Sequence, residues 1–188
     1  MIEKIVNTLK QFMPGPRLNH SIGVANEAKR LALLFGHNPE KAYLAGLLHD
    51  CARTQSNEVL RVYLPPFFLS IGYAIPAIYH AFAGPQFIID QFGISDYTIL
   101  RAICWHATAC EDMSDFDKIL FVADMTELGR KFRGTELVRQ SIILGLQKAY
   151  MKALELKLSY LLSTKKIIYP TSLEAWNKEV CALNKDCV

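Results

Sequence analysis

The dipeptide His49-Asp50 closes an apolar run, LAGLLHD, that otherwise reads as buried helix. A core helix gains nothing from a neighbouring imidazole and carboxylate unless a partner satisfies both, because an unpaired buried polar group is costly. The oddity recurs along the chain. Of its five histidines, four (His20, His49, His80 and His106) fall in helical stretches among small and apolar residues, and Asp124 ends another such run, ILFVAD. The fifth, His37, sits in the turn GHNP and reads as exposed. Taken singly, each is an ordinary core or helix-end residue. Taken together, the four histidines with Asp50 and Asp124 would be six poorly solvated groups. A shared metal site satisfies them all, since neutral imidazole and carboxylate both ligate iron, manganese, cobalt or zinc. Six ligands exceed what one structural zinc takes, so a pair of ions is the simpler account. Consecutive side chains on a helix diverge by about 100°. His49 and Asp50 therefore reach a common ion only near the helix end, with the carboxylate free to bridge.

The elements that must carry these residues are helical. Ile2, Ile5, Val6, Leu9 and Phe12 recur at helical spacing and stop at MPGP. A second helix is expected over residues 17–35, closed by Gly36, and Asn38-Pro39-Glu40 starts a third as N-cap, first residue and first-turn acid. Pro76 opens a helix to Gly93 that Gly84-Pro85 should kink or split. Ser95 and Asp96 cap a helix reaching His106, and Ser114 opens the one carrying DKILFVAD. One long amphipathic helix is expected over 135–163, offering a face for a possible homodimer, and TSLE at 171–174 has capping-box spacing. KKIIYP could be extended, but no set of alternating strands with hairpin turns appears. The expected fold is an all-α, single-domain bundle over residues 1–188, with a metal-binding core at about 17–130 and C-terminal helices at 135–188.

Composition narrows the partners. A chain of 188 residues, 51% hydrophobic and 21% charged, buries a full core without disulfides. Its net charge of +3 is too mild for a duplex nucleic-acid binder and does not oppose an anionic small molecule. There is no signal-peptide pattern at the N-terminus and no run long enough to span a membrane. Five widely spaced cysteines, without a CxxC, suit reduced thiols in a cytoplasm. A zinc thiolate on Cys104, His106 and Cys110 lacks a completing pair and puts 104 and 106 on different helix faces.

The order His…His-Asp…His…His…Asp resembles the HD-domain metal-dependent phosphohydrolases. The strings RLNHSIGVANEAKRLALLFG, KAYLAGLLHDCAR, DKILFVADMTELGR and IYPTSLEAWN are similar to the bacterial YqeK family of symmetrical bis(5′-nucleosyl)-tetraphosphatases, over roughly residues 15–180. The resemblance implies that His20, His49, Asp50 and Asp124 hold one metal. It gives His80 and His106 to a second, with Asp50 bridging. The metals would be two divalent or mixed-valent ions, iron foremost, with His49 and Asp50 at the catalytic centre. It also aligns Glu127, Arg130 and Thr108 with the family's segments after the last aspartate and the fourth histidine. Departures are His80-Ala81-Phe82 for His-Gly-Pro, Cys51 for an aromatic, and Glu127-Leu128-Gly129-Arg130 for Glu-Pro-Asn-Arg.

Phosphoanhydride hydrolysis follows from such a centre, because paired metals lower the pKa of water and clamp phosphoryl oxygens. A cut at the central anhydride of diadenosine tetraphosphate gives two ADP. Lys118, Arg130 and Arg133 near Asp124, with Arg17 and Arg53 flanking other ligands, are candidate phosphate contacts, GRKFRG especially. Trp105 and Tyr79 read as core or wall residues before base-stacking ones. Rival readings are an HD-type nucleotidase or phosphodiesterase on mononucleotides or a signalling nucleotide, a non-catalytic sensor, and a helical interaction domain.

Overall fold

Short polar side chains start three of the helices that carry the candidate residues. Asn38 Oδ1 accepts from the Glu40 and Lys41 amides, and Asp96 Oδ1 accepts from those of Thr98 and Ile99. Ser114 and Asp117 close a reciprocal capping box, and Asp117 also pairs with Arg101. The structure, a computed structural model, describes residues 2–70, 74–132 and 134–183. In chain order its helices are α1 (Ile2–Phe12), α2 (Gly15–Leu34), α3 (Pro39–Leu48), α4 (Asn57–Tyr63), α5 (Pro66–Leu69), α6 (Tyr79–Phe92), α7 (Tyr97–Trp105), α8 (Asp115–Thr126), α9 (Thr135–Ile142), α10 (Leu146–Ser163) and α11 (Pro170–Leu183). Short 3-10 turns lie at Cys51–Thr54 and Pro76–Ile78. There is no strand among the described residues, and none of their helices is long and apolar enough to cross a membrane. The fold class is all-α.

α2 is the central packing element, lying against α3 on one side and α8 on another. Its buried residues, Leu18, Ser21, Val24, Ala25, Ala28, Leu31 and Ala32, follow helical spacing and are mostly small. Gly46 of α3 meets Ala25 so closely that an added Cβ would lie 2.6 Å from the Ala25 Cα. Two backbones in contact here fix the register of α2 against α3. His20 lies five residues before Ala25 and His49 three after Gly46, so the same contact brings their rings together.

Several local expectations are corrected. The stretch 135–163 is two helices, because Gly145 takes φ +109° and ends any continuation from α9 into α10. Ile143 and Leu144 are exposed at the break between them. α6 runs unbroken through Gly84-Pro85, where Gly84 packs on Ile103 of α7. α11 begins at Pro170, and the Thr171 hydroxyl donates to Ala109 O at 2.9 Å instead of serving a capping box. KKIIYP is not a strand; it leaves α10 through Lys165 at φ +53°.

Candidate metal centre

α3 and α7 each end on a histidine. His49 and His106 are their C-cap residues, and each folds its ring back on its own last turn. His49 Nδ1 donates to Gly46 O at 2.7 Å, and His106 Nδ1 donates to Ile103 O at 2.6 Å. The last carbonyls of a helix have no intrahelical partner, so these acceptors are at hand. A proton fixed on Nδ1 leaves Nε2 as a bare lone pair. His20, on the first turns of α2, repeats the arrangement by donating from Nδ1 to Glu127 Oε1 at 3.1 Å.

Those lone pairs face carboxylate oxygens. His20 Nε2 lies 3.0 Å from Asp124 Oδ1, and His49 Nε2 lies 3.6 Å from the same oxygen and 3.9 Å from Asp50 Oδ2. Asp50 Oδ1 lies 3.2 Å from His80 Nε2 and 3.9 Å from His106 Nε2. Among these atoms His49 Nε2, His80 Nε2 and Asp50 Oδ1 are buried without a hydrogen-bond partner. Two acceptors cannot satisfy one another, but a cation between them satisfies both. Two trios suit such a cation, His20 with His49 and Asp50, and Asp50 with His80 and His106. In each the ligand atoms lie within 4.8 Å of one another. The donor set of nitrogen and oxygen atoms fits a first-row transition metal.

The electrostatics ask for the same positive charge. Burial pushes the Asp50 carboxyl up, but His49, His80 and His106 outweigh it and hold it far below the carboxylate range. Asp124, also desolvated, is held well below its usual value by His20, His49 and Arg130. Both are ionised at neutral pH. Burial drives His80 and His106 below their usual range, which keeps them neutral, the ligating form. On His49 burial opposes protonation, yet Asp50 and Asp124 outweigh it and pull a positive charge toward the ring.

A cleft of about 410 Å³ opens onto the cluster, lined by Pro14, Pro16, Arg17, His20, Asp50, Arg53 and Arg130. Arg17 Nη1 donates to Asp50 Oδ2 at 2.7 Å, and Arg130 Nη2 donates to Asp124 Oδ1 at 2.5 Å. Arg53 Nη1 stands 3.5 Å from Asp50 Oδ1.

The six expected ligands, His20, His49, Asp50, His80, His106 and Asp124, thus converge. The expected substrate contacts divide. Arg130 is at the cleft. Thr108 is buried beside a separate cavity with Lys157 and Tyr169. Lys118 is a correction: it donates to Gln147 at 2.8 Å and stands 3.4 Å from Glu179, facing α10 and α11. Six positions along α8 turn it about 120° away from Asp124. Glu127 is another, for its buried carboxylate holds His20 and the Gly129 amide and does not face the cleft. Arg133 lies outside the described residues. Trp105 and Tyr79 pack on Phe82 and Phe68, as wall and core.

Three supporting residues escaped sequence reasoning. Gly23 leaves room for Glu127, whose Oε2 would lie 2.6 Å from an added Cβ. Arg139 donates to the carbonyls of Thr126, Glu127 and Arg130 and so clamps the loop behind the centre. Nothing in its local pattern announces that role. Gly46 did carry a signal, since glycine inside an apolar helix marks close backbone approach. Glu127→Ala should lower metal affinity and turnover about 10–100-fold, as loss of a partner behind a ligand does. Metal content after gel filtration, measured beside turnover, checks this, and Glu127→Gln, which keeps an acceptor, should lose less.

The chain belongs to the HD-domain family, whose model matches residues 17–129. It is similar, more particularly, to a Halalkalibacterium halodurans protein named bis(5′-nucleosyl)-tetraphosphatase, symmetrical, at 32% identity over 93% of this chain and 95% of that one. A Bacillus subtilis protein of the same name is 28% identical over 93% of this chain and 95% of its own. A crystal structure from Clostridium acetobutylicum, described as that of a predicted HD superfamily hydrolase involved in NAD metabolism, superposes with a TM-score of 0.86. It is 28% identical, covering 97% of this chain and 98% of the other.

Proposed function

We propose that this chain is a metal-dependent hydrolase that splits diadenosine tetraphosphate at its central anhydride into two ADP. One observation carries the reading: unsatisfied nitrogen and carboxylate acceptors converge on buried Asp50, beneath three arginines, in a chain whose near-full-length relatives bear that activity in their names. His20, His49, Asp50 and Asp124 are assigned to one ion, and His80 and His106, with Asp50 shared, to a second. Iron is the metal favoured by the resemblance, with manganese, cobalt or zinc as substitutes.

Ions held there supply Lewis acidity, which lowers the pKa of water and neutralises phosphoryl oxygens during displacement. The chain's residues do the positioning. Asp50 and Asp124 stay ionised, and His80 and His106 stay neutral, so their lone pairs remain available across the neutral range. The carbonyl of Gly46 locks the His49 ring. Arg17, Arg53 and Arg130 place guanidinium donors on the mouth side of the carboxylates, and such planar forks suit bidentate phosphate binding. The substrate is a small dinucleoside polyphosphate. The spaced cysteines favour a reducing compartment, the cytoplasm.

Product analysis tests the reading. Reduced protein supplied with iron or manganese is incubated with diadenosine tetraphosphate and the nucleotides are separated, with His49→Ala in parallel. ADP alone, missing from the variant, is the expected result. AMP plus ATP would move the cut to another anhydride, and turnover of mononucleotides only would favour the nucleotidase reading.

A further inference from the structure

We infer that one nucleoside of the substrate stacks in a second cleft beside the metal centre, between Phe132 and Tyr160. The inference rests on the diadenosine tetraphosphate reading and deepens it. The cleft measures about 520 Å³ and is lined by Asp124, Met125, Arg130, Phe132, Leu156, Lys157 and Tyr160. Arg130 lines both clefts and is paired with Asp124 of the centre, so the two spaces meet at Arg130. Its size falls in the range of about 300–1,000 Å³ typical of small-molecule pockets.

The walls follow from local geometry. Leu156 and Tyr160 are four residues apart on α10 and therefore share a face. Met125 follows Asp124 on α8, and Phe132 comes from the loop beyond Arg130. That loop reaches Leu156 through Gly134, at φ +110°, where an added Cβ would lie 3.0 Å from Leu156 Cδ1. Lys166 Nζ donates to Tyr160 Oη at 2.8 Å and steadies the ring.

The cleft has a polar end and an apolar end. Both of its cations are anchored to residues of the centre: Arg130 on Asp124, and Lys157 by donating to His106 O at 3.2 Å. Away from the centre the lining is aromatic and aliphatic, yet Phe132 is 39% and Tyr160 53% exposed. Rings left open to water at the edge of an anion-binding cleft are a stacking platform for a flat apolar face. Methionine beside them adapts to such a face. A nucleoside with its phosphates toward Arg130 and Lys157 matches that gradient along its own length.

The test is a binding titration of ADP and, separately, of pyrophosphate, by calorimetry on manganese-supplied protein. Wild type is compared with Tyr160→Ala, Phe132→Ala and Tyr160→Phe. The expected result is ADP binding weakened about tenfold or more by each alanine and by less than about threefold in Tyr160→Phe. Pyrophosphate binding should stay unchanged in all, which a mere loss of folding would not allow. Alanine variants that bind ADP like wild type, or that lose pyrophosphate equally, would overturn the cleft. Turnover is read independently: Tyr160-dependent ADP binding without ADP production from diadenosine tetraphosphate supports the cleft and overturns the proposed reaction.

Discussion

Asp50→Asn should lower kcat/KM on diadenosine tetraphosphate by about 10³-fold or more. A metal centre supplies several kcal/mol of charge stabilisation, and about 4 kcal/mol corresponds to three decades of rate. Asp50 is shared by both ligand trios, so no other single change touches as much of the centre. The substitution keeps the shape and removes the charge that Arg17, His49, His80 and His106 all face. Bound metal per chain should fall with the rate, while circular dichroism stays helical. A variant that retained full metal and full rate would remove Asp50 from the chemistry.

Gly46→Ala is expected to have the largest effect on stability, a loss of about 2–3 kcal/mol. The added methyl meets the Ala25 backbone and not the end of a movable side chain, so α2 and α3 must part. The gain in helix propensity, about 1 kcal/mol, only partly offsets this. Urea unfolding should show a lower midpoint at unchanged slope. Gly15→Ala is the control, because nothing lies within 4 Å of a Cβ there. Metal retention should fall in Gly46→Ala as well, since the same contact sets His20 against His49, whose ring centroids are 5.3 Å apart.

Much of this was legible in the sequence because it is local. Asn38, Asp96 and Ser114 announce their helices through bonds spanning two or three residues. The ligands were legible for the opposite reason, as residues that violate the apolar pattern around them. What stayed hidden depends on which face a residue shares with distant elements. Lys118 is near Asp124 in sequence and turned from it in space, while Glu127 is claimed by His20 on α2, 107 positions away. Lys157 and Tyr160 line the cleft beside the centre from α10, in a stretch that reads as an ordinary amphipathic helix. The break at Gly145 was readable in principle. Good periodicity on either side of Gly145 masks it, because a glycine interrupts the apolar pattern no more than any small residue does.

The bonds from His49 and His106 to carbonyls three residues back have a thermodynamic consequence. Each ring loses its rotational freedom to its own helix, so the entropy of ordering these ligands is lost when the helix forms and not when an ion arrives. Folding thus prepares half of the imidazole set in advance. His20 differs, because its anchor is a side chain on another element. Capture of an ion by the chain should therefore be governed less by the helix-end histidines than by how firmly the Glu127 loop is held.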